Sequence, residues 1–99
     1  MKELVDRLNR VFDNRIRLAL MSILVVNDSM DFNSIKQTLN LTDGNLAAHM
    51  MTLENRKYVK VAKKFVGRKT LTTYSLTQAG RKAFGEHIDA LEKLIRQSK

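Results

Sequence analysis

Apolar residues recur at helical spacing through the first part of the chain. Positions i, i+4, i+7 and i+8 of this stretch are Leu4, Leu8, Val11 and Phe12. This spacing is that of one helix face, and it predicts an N-terminal helix over about residues 1–14. The next helix is expected from about Arg15 to Val26, with Asn14 as its cap. Because this second helix is apolar on most sides, we expect it at the centre of the core.

A polar turn at residues 27–32 separates these helices from two shorter ones. Residues 30–32 could form a very short strand within the turn. The first of the two shorter helices is expected to end near Asn40. Thr42 is then a strong candidate cap for the second, which runs to about Arg56. The apolar face of that helix consists of Leu46, Met50 and Leu53.

A period of two replaces the helical pattern after this helix. Tyr58–Val66 and Leu71–Leu76 are predicted strands, and the segment "GRKT" between them is expected to be their loop. Thr77 then caps a last helix that reaches about Gln97. The apolar stripe of this helix consists of Phe84, Ile88, Leu91 and Ile95.

The order of elements predicts a winged helix–turn–helix fold. Two helices joined by a tight turn and followed by a two-stranded hairpin are typical of this motif. The fold class is mainly α with a small β-hairpin, an α+β arrangement in which the hairpin is the wing. We expect one domain over residues 1–99, with an N-terminal helix at about 1–14, a winged-helix core at 15–77 and a C-terminal dimerisation helix at 78–99.

Positive charge is concentrated in the predicted wing. The chain carries 18 Lys and Arg against 10 Asp and Glu, a formal net charge of +8. Residues 58–77 hold no acidic side chain, and their basic ones are Lys60, Lys63, Lys64, Arg68 and Lys69. This charge favours an anionic partner. The alternative is surface charge that only keeps the protein soluble, although a solvated surface would not be so uneven.

Motifs for catalysis and for metal binding are missing from the sequence. The chain has no cysteine, no glycine-rich phosphate loop, no Ser–His–Asp set and no paired-histidine motif. His49 and His87 are far apart in sequence. We therefore expect neither an enzyme nor a bound metal or cofactor.

The longest apolar run, Leu18–Val26, is far shorter than the roughly 20 residues of a membrane span, so we expect a cytoplasmic protein without a membrane partner.

The helix after Thr42 is expected to read DNA, because the second helix of a helix–turn–helix lies in the major groove. With its apolar face turned inward, its outer face is small or polar, and Glu54 is expected toward the edge of the core. Asn can read adenine and Thr can contact thymine, so this face suits base edges. The candidate DNA contacts are Thr42, Gly44, Asn45, Ala48, His49 and Thr52. The alternative is an ordinary amphipathic helix with a solvated outer face.

The wing is expected to contact the DNA backbone. Lys and Arg at a hairpin tip can neutralise phosphates or enter a narrow minor groove. The candidate contacts are Lys63, Lys64, Arg68 and Lys69, the last two of which we place in the loop. The competing explanation is that charged residues on an exposed strand discourage edge-to-edge aggregation.

The last helix extends beyond the point where a lone core of 99 residues should end. Its stripe is matched by the apolar first helix, so both could pack on a second copy in a two-fold dimer. The candidate interface residues are Leu4, Leu8, Phe84, Ile88, Leu91 and Ile95. Such a dimer would place two recognition helices roughly 34–36 Å apart on a near-palindromic site in double-stranded DNA. The alternative is that both terminal helices fold back on their own domain.

Three segments resemble the small stand-alone winged-helix transcriptional regulators of bacteria and archaea, within the MarR- and ArsR-like superfamily. They are "FNSIKQTLNLTDGNLAAHMMTLENRKYV", the basic hairpin and "TTYSLTQAGRKAF". The most specific part, "YSLTQAGRKAF", is similar to the "YxLTxxGxxAL" signature that follows the wing. The resemblance implies that Thr77 caps the closing helix and that Gly80 permits close packing. It also implies a homodimer that binds operator DNA, usually as a repressor, with residues 42–52 as reader and Arg68 and Lys69 as wing contacts.

Lys57 departs from the pattern of these regulators. Relatives commonly have Gly just before the hydrophobic pair that starts the wing strand, where a left-handed residue ends the helix. We therefore expect either strain at Lys57 or a different helix end. Metal-sensing relatives rely on Cys and His clusters, which this sequence lacks. Nothing in the sequence identifies a small-molecule effector.

A winged-helix protein-interaction module without specific DNA binding is the alternative function. Its distinguishing feature would be an exposed apolar patch on the reader helix. Met51 is the one residue that supports such a patch, and this support is weak. Retention on duplex DNA and on heparin at matched salt separates the two functions, because incidental charge should show no preference for the duplex.

Overall fold

The chain folds into helices packed around a small antiparallel sheet, and the computed structural model describes residues 1–97. The α-helices are α1 (Lys2–Asp6), α2 (Arg15–Val26), α3 (Phe32–Leu39), α4 (Asp43–Asn55) and α5 (Gln78–Gln97), and a 3₁₀ turn spans Arg10–Asp13. The strands are β1 (Met30–Asp31), β2 (Val59–Val66) and β3 (Lys69–Leu76). The predicted order of elements is confirmed from α2 onward. Residues 98 and 99 of the predicted dimerisation helix lie outside the described residues.

The N-terminal helix is shorter than predicted. It ends at Asp6, so the single helix expected over about residues 1–14 is wrong. Asn9 has an extended backbone, and its side-chain oxygen accepts a hydrogen bond from the Val11 amide at 3.0 Å. Asn side chains compete with helical hydrogen bonds in this way. The Asn9 amide donates to Nδ1 of His87 at 3.0 Å, a partner 78 residues away that no local pattern reveals.

Helix α2 lies at the centre of the core, as predicted. Asn14 caps it, because its side-chain oxygen accepts hydrogen bonds from the Ile16 and Arg17 amides at 3.0 Å. The core cluster around α2 includes Leu20, Met21, Leu24, Ile35, Leu46, Met50, Leu53, Val59 and Phe84. Each large apolar side chain that is fully buried contributes about 1.5–3 kcal/mol. This cluster is therefore the main source of stability.

The sheet has the strand order β1–β3–β2 and is antiparallel. The short strand expected within residues 30–32 is present as β1. In the hairpin of β2 and β3, Val66 pairs with Lys69, so the loop consists of Gly67 and Arg68 alone. Gly67 has a φ of 66°, as the first position of a two-residue hairpin turn requires. Lys69 belongs to β3, and the longer loop predicted from "GRKT" is wrong.

A left-handed residue other than glycine follows α4. Lys57 has a φ of 63°. Its amide donates to the Glu54 carbonyl at 2.9 Å, and the Tyr58 amide donates to the Leu53 carbonyl at 3.0 Å. These two bonds form a Schellman motif, in which glycine usually takes the left-handed position. The strain expected at Lys57 is therefore present, at a cost of roughly 1–2 kcal/mol.

Helix α5 begins against the backbone that follows α4. Oγ1 of Thr77 accepts a hydrogen bond from the Gly80 amide at 2.9 Å and donates one to the Lys57 carbonyl at 2.7 Å. The Thr77 amide donates to the Tyr58 carbonyl at 3.0 Å. A Cβ added to Gly80 would lie 2.0 Å from the same Tyr58 oxygen. The cap expected at Thr77 and the close packing expected at Gly80 are both confirmed.

Phe12 joins the N-terminal segment to α5 and to the base of the hairpin. Its ring centroid lies 5.3 Å from that of Phe84, 5.2 Å from that of His87 and 5.6 Å from that of Tyr58. Close to this cluster, Nδ2 of Asn9 donates to the Tyr58 hydroxyl at 2.9 Å. The N-terminal segment is thus held on its own domain through aromatic and polar contacts.

Candidate nucleic-acid interface

The turn between α3 and α4 sets the direction of α4. Asn40 ends α3 with a φ of 53°, a left-handed conformation that Asn tolerates. The Thr42 side chain accepts a hydrogen bond from the Asn45 amide at 3.1 Å, as expected for the cap of α4. Lys36 of α3 forms an ion pair with Asp43 in the first turn of α4, at 2.8 Å. These contacts hold the two helices of the helix–turn–helix in a defined orientation.

Asp31 caps the other end of α3. Its carboxylate accepts hydrogen bonds from the Ser34 hydroxyl at 2.6 Å and from the Ser34 amide at 3.0 Å. These bonds from Ser34 hold the pKa of the Asp31 carboxyl below its ordinary value. Asp31 is therefore ionised at neutral pH and remains the N-cap of α3.

The outer face of α4 is open to solvent. Leu46, Met50 and Leu53 are at most 1% exposed, so the predicted inward face is confirmed. Of the candidate reader residues, Thr42, Gly44, Asn45 and Ala48 are exposed, whereas His49 and Thr52 are half-buried. The Thr52 hydroxyl donates to the Ala48 carbonyl at 3.3 Å. The exposed part of the face thus consists of small or uncharged side chains, which suit the approach to a groove.

Glu54 and Met51 give one side of α4 a different character. Glu54 is exposed and lies at the edge of the core, as expected, beside the buried residues Met50 and Tyr74. Met51 is 62% exposed. Both line a shallow cleft together with Tyr74 of β3. Because phosphates repel a carboxylate, this arrangement favours the side of α4 that holds Asn45 and Ala48 as the side closer to a DNA backbone.

His49 lies beside Arg17 of α2. Nη1 of Arg17 lies 3.2 Å from Nδ1 of His49, and Nε of Arg17 donates to the Val11 carbonyl at 2.7 Å. Because a guanidinium can only donate, Nδ1 accepts, and the neutral ring carries its proton on Nε2. Burial, and secondly the charge of Arg17, lower the pKa of His49. His49 is therefore a neutral hydrogen-bond donor at pH 7, suited to an acceptor on a base or a phosphate.

The wing forms a basic, exposed surface. Every residue from 60 to 70 is exposed. The ion pairs found among residues 1–97 involve none of the candidate wing contacts Lys63, Lys64, Arg68 and Lys69. Their charges are therefore not neutralised by these ion pairs and remain available to an anionic partner.

The predicted dimer stripe divides into a buried part and an exposed part. Leu4 is 9% exposed and Phe84 is 7% exposed, because both pack within their own chain. Leu8 and Leu91 are half-buried. By contrast, Ile88 is 41% exposed and Ile95 is 62% exposed. The terminal helices thus pack partly on their own domain, and an exposed apolar strip remains along α5.

Two other kinds of feature are absent from residues 1–97. These residues contain no helix that is long and apolar enough to cross a membrane. They also bring together no group of three or more His, Cys, Asp or Glu side chains that could hold a metal ion.

The sequence model of a family described as "Winged helix DNA-binding domain" matches residues 16–95. This range begins in α2 and ends in α5, so it contains the helix–turn–helix and the wing. The chain belongs to this family. The winged helix–turn–helix predicted from the order of elements is thereby confirmed.

Relatives of this winged-helix protein include transcriptional regulators. A transcriptional regulator homologue from Pyrococcus horikoshii has a TM-score of 0.90 and 27% identity, and the match covers 100% of this chain and 99% of that one. An uncharacterized protein of Methanocaldococcus jannaschii is 33% identical over 79 residues, which are 80% of this chain and 86% of the relative. A mutant of S. aureus MepR bound to an oligodeoxyribonucleotide has a TM-score of 0.74 and 14% identity, and the match covers 97% of this chain and 73% of that one. At this identity the similarity establishes only a shared fold. The resemblance to winged-helix transcriptional regulators is confirmed, and the chain carries the winged-helix DNA-binding domain of this family.

Two polar residues, Arg17 and Asn9, make contacts that the sequence pattern does not predict. Arg17 stands in the first turn of a helix whose strong apolar pattern hid it, and its partner His49 is 32 residues away. Asn9 lies inside a helical pattern, although its side chain is a turn former. The available signals were an Arg in the first turn of an otherwise apolar helix and an Asn in the middle of a predicted helix.

Proposed function

We propose that the chain is a cytoplasmic, homodimeric repressor that binds a near-palindromic operator in double-stranded DNA. The observation that carries the proposal is the combination of an exposed, mostly uncharged face on α4 with an exposed wing whose charged side chains are all basic. In this geometry α4 enters the major groove, and the wing reaches the neighbouring backbone. A dimer seated on a promoter would exclude other proteins from it, which is repression.

Base contacts and phosphate contacts come from different elements in this proposal. Asn45 reads adenine through the two hydrogen bonds of its side-chain amide, and Ala48 leaves room for a base edge beside it. His49 donates from Nε2 to an acceptor on a base or a phosphate. The wing residues Lys63, Lys64, Arg68 and Lys69 neutralise phosphates and fix the register of the protein on the duplex.

A second copy of the chain completes the operator-binding unit. The exposed apolar residues Ile88 and Ile95 run along α5, and Val5 of α1 is 49% exposed. Helix α5 has 20 residues and is therefore roughly 30 Å long, enough for an extended contact with the same helix of a partner. A two-fold axis through this contact would place the recognition helices about one turn of DNA apart.

Selection of bound duplexes from a random DNA pool, at near-physiological salt, tests the proposal. We expect an enriched near-palindrome with half-sites about one helical turn apart. Binding without enrichment would leave a non-specific DNA binder, and the proposal of a sequence-specific repressor would fall. Reduced transcription from a promoter that carries the selected site would then separate a repressor from an activator.

Replacement of Asn45 by Ala tests the placement of α4 in the major groove. On the selected site the variant should bind about 1–3 kcal/mol more weakly, and the base preference at one position of each half-site should relax. Asn27→Ala serves as the control, because Asn27 is exposed just after α2 and outside α4. Its side chain donates to the Ile23 carbonyl at 2.9 Å, so the unfolding temperature of this control is measured as well. Unchanged affinity and unchanged preferred sequence in Asn45→Ala would show that another face of α4 meets the DNA.

A protein-interaction module is the second candidate function. The 62% exposure of Met51 and the 81% exposure of Phe65 favour it, since exposed apolar side chains near a binding surface also suit a protein partner. Equal retention on heparin and on duplex DNA at matched salt would support this candidate. Preferential retention on the duplex would favour the DNA-binding regulator.

A further inference from the structure

Phe65 is exposed at the tip of the wing. Its side chain is 81% exposed, the highest value among the large hydrophobic residues of 1–97. It pairs with Thr70 across the hairpin, next to the pair that closes the turn. A single exposed apolar side chain is common on protein surfaces. The position of Phe65 and the charges around it set this one apart.

The apolar face of the hairpin continues beyond the body of the protein. Alternate residues of a strand share one face, and Val59, Val61 and Phe65 lie on the same face of β2. Their exposed fractions rise from 2% to 39% and then to 81% toward the tip. The apolar pattern of β2 therefore extends beyond the part of the strand that packs on the core. Phe65 is for this reason a poor candidate for a role in packing.

The charges around Phe65 indicate the kind of partner. Lys63 shares its strand face, and Lys64, Arg68 and Lys69 flank the tip, in a segment without any acidic residue. A partner that meets Phe65 must also accept these cations, which favours a polyanion over an uncharged protein surface. A two-residue turn keeps the tip narrow, and the minor groove of DNA is about 6 Å wide. The surroundings of Phe65 thus match a DNA minor groove.

We infer that Phe65 is an apolar wedge that enters the minor groove beside each half-site, partly unstacks one base step and kinks the duplex. Phe is among the side chains with which minor-groove proteins do this. The basic residues around it would hold the adjacent phosphates. Pyrimidine–purine steps unstack most easily, so a TA or CA step is expected where the wing reaches the DNA. The inference rests on the proposed function, since it requires the wing to lie on DNA.

Phe65→Ala in the full chain tests the wedge on duplexes selected by the wild-type protein. Because Phe65 is exposed, the unfolding temperature should not change. We expect about tenfold weaker binding. The bend of the duplex, measured by energy transfer between dyes at its two ends, should be smaller. A repeated selection should no longer show the flanking preference for a TA or CA step. The salt dependence should stay the same, because no charge is removed. Val66→Ala is the matched control, since Val66 is the next residue, 59% exposed, on the other face of the strand; it should bind and bend as the wild type does.

Wild-type affinity, bend and flanking preference in Phe65→Ala would overturn the wedge and leave the proposed function intact. Weaker binding with an unchanged bend would also overturn it, because Phe65 would then be a surface contact only. If the wild-type protein binds no duplex, the proposed function and the wedge both fall. Vesicles of anionic lipid that bind the wild type but not Phe65→Ala would in that case identify the tip as a membrane contact.

Discussion

Lys57 occupies a backbone position at which glycine is better suited. Its φ of 63° closes the Schellman motif after α4. Lys57→Gly should raise the free energy of unfolding by about 1 kcal/mol, because relief of the left-handed strain exceeds the extra entropy that glycine gives the unfolded chain. Urea denaturation measures the change. Asn40→Gly is the matched control, with a φ of 53° and a smaller expected gain. A less stable Lys57→Gly would show that the lysine side chain makes a contact worth more than the strain.

Gly80 is required by space and not by its backbone angles. A Cβ at this position would lie 2.0 Å from the Tyr58 carbonyl oxygen, whereas one at Gly85 would meet nothing within 4 Å. Gly80→Ala should therefore cost about 1–3 kcal/mol of stability through overpacking. Gly85→Ala should stabilise α5 by roughly 0.5–1 kcal/mol, since it removes a glycine from a helix interior. Thermal unfolding of the two variants side by side checks both signs. Equal effects would mean that the start of α5 can move away from the wing base.

At the scale of elements, the wing offers a prediction about charge. The double variant Arg68→Ala, Lys69→Ala should bind all duplexes more weakly by a similar factor. The slope of log affinity against log salt should fall by about one unit for each phosphate that the variant no longer neutralises. Titrations at several salt concentrations measure this slope. Lys82→Ala is the control, because Lys82 is exposed on α5. Weaker binding confined to the selected site, with the slope unchanged, would assign these residues to base reading instead.

The elements whose boundaries depend on local pattern were predictable from the sequence, and those that depend on distant partners were not. Leu46, Met50 and Leu53 fixed both the existence of α4 and its exposed face, because 3.6-residue periodicity is a local property. Periodicity alone did not predict the break after α1, because the partner of the Asn9 amide is His87, 78 residues away. For the same reason the exposed face of α4 could be predicted from the sequence. The contact between Arg17 of α2 and His49 of α4 could not, because these residues are 32 positions apart.

At the scale of the whole molecule, His87 connects the two ends of the chain and makes stability depend on pH. Burial lowers the pKa of His87, and the charge of Asp13 opposes this in part. In the folded state Nδ1 accepts the Asn9 amide, a bond that a protonated ring cannot make. Because the folded-state pKa lies below the unfolded value, this contribution to stability is complete above the unfolded pKa of about 6.5. It is lost as the pH falls from there through the lower pKa of the folded state.

The free energy of unfolding should therefore decrease from pH 7 to pH 5. His49, whose pKa burial also lowers, acts in the same direction. Urea denaturation at both pH values, for the wild type, His87→Gln and His49→Gln, separates the two contributions. Each variant should show a smaller decrease than the wild type. An equal decrease in His87→Gln would show that the titration of His87 does not control the packing of the chain ends.

The exposed strip on α5 predicts the behaviour of the assembly. A stable dimer buries about 1,200–2,000 Å² in total, and a carboxylate in the middle of such a contact would be buried without a partner. Ile95→Asp should therefore give a monomer in sedimentation equilibrium. Because Ile95 is 62% exposed within its own chain, the substitution should not change the stability of the single folded chain.

The same variant separates dimerisation from DNA reading. Ile95→Asp should lose most of its affinity for the near-palindrome and bind a single half-site as weakly as the wild type does, since each recognition helix stays intact while the linkage between them is gone. Val26→Asp is the control, because Val26 is 79% exposed at the end of α2, outside the strip. If Ile95→Asp remained a dimer with full operator affinity, the contact between copies would lie elsewhere, and the half-buried Leu8 and Leu91 would be the next positions to change.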